Sequence, residues 1–370
     1  MHEKNLGASL VWSFVCLPTS RYALMPRHSF ETLPDGRTVD CFVLASSQVE
    51  LRVISYGAIV TSLRTASREG SPGDVVLGHS RVSDYTVNPG YLGAVIGRYA
   101  NRIAHGRFSL NGETYRLFAN EGQHHLHGGL RGFDQQLWAV LDTPTDQCVT
   151  FGRTSPAGEE QYPGTVQASV TYRLSADNVV EMRYCATTDD DTPVNLTQHT
   201  YFNLSGDPAS TILDHDLTIH ADEYIPVDAS LIPEGNPASV DGTPFDFRIP
   251  RTIKGQLAGT YEQLRRGGGF DHNWVLSGHS TGLKPAARLR DPRSGRILEV
   301  ATTEPGLQFY GGQLLPCRYD PPFRGFGPNA GLCLETQHFP NSPNRPDFPS
   351  TILRPGQRYE SLTTWTFSLD

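Results

Sequence analysis

The feature that most restricts what this chain can fold into is its punctuation. Glycine and proline recur from end to end, 36 and 27 times in 370 residues, and cut the chain into runs too short for long helices. The runs between are rich in β-branched and aromatic residues, which pack well on a pleated surface. Thr38 to Leu44 and Leu51 to Tyr56 read as strands after the turn pair Asp35-Gly36, and Val75 to Leu77 reads as a short buried strand. Arg107 to Leu117 is the clearest hairpin, because Asn111-Gly112 supplies two adjacent residues that accept φ > 0 in a type I′ turn. Val170 to Leu174 with Val179 to Cys185, and Ala287 to Leu289 with Ile297 to Val300, read as further pairs. Gly306 to Tyr310, Leu332 to Thr336 and Tyr359 to Phe367 complete the strands; only Val82 to Tyr85 and Arg251 to Leu264 read as helical. Successive hairpins without βαβ alternation predict an all-β fold, one large antiparallel sandwich with proline-rich loops carrying the chemistry on one face.

Length alone suggests about two domains of ~150 residues, a guide that large sandwiches override. Residues 25 to 370 are therefore expected to form a single domain. Residues 1 to 24 stand apart. Leu6 to Leu17 is mildly apolar but too short to span a bilayer. Glu3 sits beside Lys4 ahead of it, no clean small-residue cleavage site follows, and Met25 stands just before the first folded pattern. A dispensable, poorly ordered extension is the expectation, with a secretion signal as the alternative. The net charge of −8 argues against a nucleic-acid partner and against a basic membrane-binding patch. Cys16, Cys41, Cys148, Cys185, Cys317 and Cys333 are scattered with no CxxC pair, which reads as thiols in a reducing cytoplasm.

Five polar stretches carry the candidate chemistry. In PVNLTQHTYFNLSG, residues 193 to 206, His199 lies among amides, hydroxyls and aromatics that would hold it rigid, a candidate proton donor near neutral pH. GRYANRI offers Asn101 and the planar donor fork of Arg102, suited to sugar hydroxyls or carboxylates and equally to a salt bridge at a strand end. NEGQHHLHGG sets His124, His125 and His127 within four residues. On a strand His125 and His127 would share a face, but no Cys, Asp or Glu stands at a recognisable ligand spacing, so no metal is expected. Its Gly128-Gly129 pair marks a tight bend or close approach. GGGFDHNWVL offers Asp271 as an acceptor for a diol or as a turn carboxylate. GLCLETQHFPNSPN places Glu335 within an apolar run, where desolvation would raise its pKa and fit it for a base, or where it is the outward residue of an alternating strand; His338 is a weaker candidate. As a set, these residues suit a neutral polyol.

Together, the five motifs resemble those of aldose 1-epimerases (galactose mutarotases), from about Phe30 to the carboxyl terminus. The resemblance implies a large antiparallel β-sandwich of the galactose mutarotase type, no cofactor, and interconversion of α and β anomers of hexoses such as glucose and galactose. It implies a small-molecule aldose as partner, a cytoplasmic location and a monomer or homodimer. By it, His199 matches the general acid and Glu335 the general base. Asn101, Arg102, His127 and Asp271 match the sugar-binding set, and Gln308 in GLQFY matches a glutamine near the substrate. His124-His125 departs from the family pattern and is left without a role.

Ring opening of a hemiacetal removes a proton from the C1 hydroxyl and gives one to the ring oxygen. Glu335 and His199, on opposite sides of that unit, would do both. Two other readings stand beside this one: a catalytically silent sugar-binding protein, and a hexose-6-phosphate 1-epimerase in which Arg265 and Arg266 meet the phosphate. A glycosidase would need two catalytic carboxylates, and Asp271 with Glu335 would leave His199 idle.

Overall fold

The computed structural model describes residues 28–87, 90–278, 282–315 and 326–370. The expectations for residues 1 to 24, and for Cys16 and Cys317, lie outside the described residues. The architecture is a β-sandwich with antiparallel ladders throughout its three main sheets.

The large sheet has nine strands, ordered Ala139–Val140, Cys148–Ser155, Val166–Leu174, Val179–Thr188, Tyr359–Leu369, Arg296–Thr302, Lys284–Arg290, Asp216–Ile219 and Arg251–Thr252. The carboxyl-terminal strand Tyr359–Leu369 sits in the middle and joins two runs of hairpins. A second sheet, here the site sheet, has six strands: Tyr201–Phe202, Leu332–Gln337, Gly306–Tyr310, Asp271–Leu276, Ala221–Ile225 and Ala238–Ser239. An amino-terminal sheet of five strands runs from His28–Thr32 to Pro72–Asp74 in chain order.

Period-two alternation decides what lies between the sheets. Phe42 and Leu51 from the amino-terminal sheet, Val170 and Met182 from the large sheet, and Phe309 and Leu334 from the site sheet belong to one buried cluster. Phe202 of the site sheet meets Trp365 of the large sheet edge to face at 4.9 Å.

The Asn111-Gly112 hairpin forms as its sequence predicts, with φ of 52° and 83° at the two turn residues and Leu110 opposite Glu113. Two expectations need correction. Val75 to Leu77 is buried but is not a strand: the strand is Pro72–Asp74, and Val76 makes a lone bridge to Phe202. Arg251 to Leu264 is not one helix. It begins as the edge strand Arg251–Thr252 and continues as two short helices, Ile253–Gln256 and Glu262–Gly267. Gly259, at φ 110°, breaks the run between them.

Candidate active site

The working face of the site sheet follows from register, since residues paired across strands point to the same side. One row runs Tyr201, Cys333, Tyr310 and Asp271. The next runs Glu335, Gln308 and Asn273. Leu334, Phe309 and His272 form the row between them and point the opposite way. Glu335 and Gln308 therefore stand on strands, as the sequence predicts, and Asp271 opens a strand where the sequence suggested a turn.

Facing this grid is a layer built from residues 90–102, 120–127 and 193–200. His199 is clamped through its backbone: its N–H donates to Ala94 O and its carbonyl accepts from Gly93 N, both at 2.9 Å. The flanking amides hold the segment and do not touch the ring. Gln198 Nε2 donates to Gly93 O at 2.5 Å, and Gln198 Oε1 accepts from Tyr172 OH at 2.8 Å. Asn195 exchanges bonds with the His338 backbone, accepting at 3.0 Å and donating at 3.3 Å. Asn203 Nδ2 donates to Ala330 O at 2.8 Å.

The His199 imidazole has Cys333 Sγ 3.4 Å from Nδ1 and Glu335 Oε1 3.7 Å from Nε2. The rings of Tyr91, His127 and Tyr201 surround it, with centroids 5.1 to 5.7 Å away. The pocket in front is open to solvent, with a cavity volume of about 100 Å³. Asn101, Arg102, His127, His199, Asp271 and Glu335 all line it.

Arg102 is buried and forks onto Glu121, with Nε to Oε2 at 2.6 Å and Nη2 to Oε1 at 2.8 Å. Its Nη2 lies 3.9 Å from Asp271 Oδ2. Gln308 lines a smaller adjoining cavity and supports Asp271 from behind, donating from Nε2 to Oδ1 at 2.7 Å. Glu335 Oε2 and Gln308 Oε1 are buried without a hydrogen-bond partner in the protein.

The electrostatics differ from those of isolated side chains. Burial pulls His199 down to about 4. Burial, then the charge of Asp271, pushes Glu335 well above the carboxylate range. The raised Glu335 follows the sequence reading. The lowered His199 corrects it: an imidazole with an ordinary value of ~6.5 would be partly charged at neutral pH, whereas this one is buried.

His127, His199 and Glu335 bring possible ligand atoms within 4.8 Å of one another. The hydrogen bonding of His127 suits a donor better than a metal ligand. Its Nδ1 accepts the Asn101 N–H at 3.2 Å, so the neutral ring carries its proton on Nε2, where a metal would need a lone pair.

A family model described as aldose 1-epimerase matches residues 40–366. The chain belongs to the aldose 1-epimerase family. It is 45% identical to galactose mutarotase of Mus musculus over 353 residues, covering 93% of this chain and 98% of that relative. It is 39% identical to aldose 1-epimerase of Escherichia coli (strain K12) over 340 residues, covering 90% of this chain and 96% of the relative. The solved structure of galactose 1-epimerase from Lactobacillus acidophilus NCFM superposes with a TM-score of 0.82 at 27% identity, covering 94% of this chain and 99% of that one.

Other residues of this aldose 1-epimerase family member fall outside the pocket. His125 and His127 do not share a strand face, because the strand ends at Leu126 and His127 adopts φ 51°. His125 instead bonds Phe118 O and Tyr162 OH, each at 2.7 Å. His124 Nδ1 accepts from His105 N at 3.0 Å. Gly128 serves close packing of backbone on backbone: a Cβ there would lie 1.9 Å from Gly97 O. His338 turns away to Glu304, 2.6 Å from its Nδ1. Arg265 and Arg266 are held in ion pairs with Glu262, and Arg266 also pairs with Glu234. Cys41, Cys148, Cys185 and Cys333 form no disulfide. Sequence reasoning missed Glu121 and the tyrosines that frame the imidazole.

Proposed function

We propose that this chain is a mutarotase, an isomerase that interconverts α and β anomers of hexoses such as glucose and galactose, with His199 and Glu335 as its proton-transfer pair. The observation that carries the assignment of roles is the 3.7 Å approach of His199 Nε2 to Glu335 Oε1 at the floor of a polar pocket. The two groups stand side by side and suit two oxygens on one carbon, the ring oxygen O5 and the C1 hydroxyl. In the ring form, His199 gives a proton to O5 as Glu335 takes one from O1. The C1–O5 bond breaks and an aldehyde forms. Rotation about C1–C2 presents the other face of the carbonyl, and closure returns both protons.

The buried setting has a direct bearing on this cycle. The charged pair, imidazolium with carboxylate, and the neutral pair, imidazole with carboxylic acid, hold the same number of protons. Burial favours the neutral pair. That is the state left behind when the ring has opened; opening itself must start from the charged pair, which the sugar's hydroxyls would stabilise by hydrogen bonding in place of water. Asn101, Arg102, His127 and Asp271 would bind the remaining hydroxyls, with Gln308 orienting Asp271.

The reading treats residues 25 to 370 as one domain, supported by the core cluster common to the three sheets. No helix among the described residues is long and apolar enough to cross a membrane. A cytoplasmic monomer or homodimer is the expected form. The hexose-6-phosphate reading loses support, because Arg265 and Arg266 already have carboxylate partners.

Optical rotation of freshly dissolved α-D-galactose tests the function. Wild-type protein should speed the approach to equilibrium. His199→Asn and Glu335→Gln should each slow it by about 10²–10⁴-fold, the usual worth of a general acid or base. A wild-type protein no faster than buffer would sink the enzyme reading.

A further inference from the structure

We propose that Glu121 is a positioning residue that also selects substrates by charge: it holds Arg102 in place, cancels its charge, and so reserves the pocket for aldoses without an anionic group. This rests on the mutarotase reading and extends it to a residue outside the proton-transfer pair.

The geometry gives Glu121 one task. Both its oxygens are committed to Arg102, through Nε at 2.6 Å and Nη2 at 2.8 Å. A bidentate carboxylate–guanidinium pair fixes direction as well as distance. These bonds set the plane of the fork and leave its Nη1 edge uncommitted. Glu121 is itself held firmly. Its backbone exchanges bonds with His124, N to O at 3.1 Å and the reverse at 2.9 Å, across a turn that needs Gly122 at φ 57°. Asn120 beside it ties the same loop to Leu126 and Gly129.

The charge argument follows. A buried guanidinium lining a sugar pocket would attract a phosphate or carboxylate on the sugar. Here Arg102 meets Glu121 in a close pair and Asp271 at 3.9 Å, and Glu335 lines the same pocket. Two carboxylates, Glu121 and Asp271, flank one cation. An anionic sugar would enter against their field, in a setting where water screens charge poorly. A neutral aldose meets the same groups as hydrogen-bond partners.

The test compares D-galactose with D-galacturonate, which differ only in the carboxylate at C6, by following anomer exchange with NMR or polarimetry. In Glu121→Gln the KM for galactose should rise several-fold with kcat within about threefold, because the proton-transfer pair is untouched. The ratio of kcat/KM for galacturonate to that for galactose should rise about tenfold. Glu121→Asp keeps the charge and should restore most of the discrimination. Melting temperatures of both variants separate loss of fold from loss of selection. A ratio unchanged in Glu121→Gln, or relaxed equally in Glu121→Asp, overturns the proposal. A wild type inactive on galactose instead overturns the mutarotase reading beneath it.

Discussion

At the scale of single residues, the controlling fact is that the acid and the base are both buried side by side at the floor of one pocket. A solvent-exposed histidine acid would show an inflection in rate near its ordinary value of ~6.5. For His199, pulled down to about 4 by burial, that inflection should be absent. The working pair holds one proton between its two members. Activity should fall on the acid side only when a second proton arrives, near the lowered value of His199. It should fall on the alkaline side only when the pair loses its proton, above the ordinary carboxylate range because Glu335 is raised. We expect the acid limb of kcat/KM for galactose to lie near pH 4, and an acid limb between about pH 6 and 7 would overturn the lowered value of His199.

At the scale of elements, the site depends on short segments pinned by glycines. Gly93 adopts φ 66°, donates to His199 O, and accepts from Gln198 Nε2. A Cβ there would lie 2.1 Å from Val60 O. Gly93→Ala should therefore cost about 1–3 kcal/mol of stability and lower kcat as His199 shifts. Gly112→Ala is the control, since Gly112 has a similar φ of 83° but open space around its Cβ; thermal melts and kcat of the two variants check the contrast. Elements of this kind explain what was legible in the sequence. Glu335 and Asp271 could be found because a carboxylate beside apolar strand residues is conspicuous, and His199 because amides crowd it. Glu121 lay inside a motif noticed for its histidines, and nothing in its spacing links it to Arg102, 19 residues earlier. Tyr201 and Tyr310 could not be told from core aromatics, because a tyrosine at a pocket wall and one in a core obey the same strand pattern, and Tyr91 lies outside any strand. The Arg251 to Leu264 run read as one helix because its breaker, Gly259, is also tolerated singly inside helices.

At the scale of the whole molecule, the two large layers are joined by an ion pair, buried at Glu304 and partly exposed at His338, as well as by apolar packing. Glu304 follows the strand Arg296–Thr302 of the large sheet, and His338 follows Leu332–Gln337 of the site sheet. Glu304 accepts from Tyr359 OH at 3.1 Å and pairs with His338 at 2.6 Å. Burial alone would lower His338, but the Glu304 charge and hydrogen bond outweigh it and raise the net value; Lys284 opposes them weakly. Burial alone would raise Glu304, but His338 and the hydrogen bond of Tyr359 outweigh it and lower the net value. The sign follows for each partner. The His338 contribution is complete below its ordinary 6.5 and is lost as pH rises through the raised value. The Glu304 contribution is complete above its ordinary 4.5 and is lost as pH falls through the lowered value. The stability gap between wild type and Glu304→Gln should be widest between these two values. Breaking a fully buried pair costs roughly 3–5 kcal/mol, and this one, with His338 23% exposed, should cost less; urea melts across pH check the shape of that window.

The two-row grid on the site sheet also limits how such a protein can change over time. Strand side chains alternate, so inserting or deleting one residue ahead of Glu335 would turn it into the core and bring Leu334 or Thr336 into the pocket. New specificity is open to point substitutions on the grid and to length changes in the connecting segments. Changes of length within the three strands that carry Glu335, Gln308 and Asp271 are closed to it.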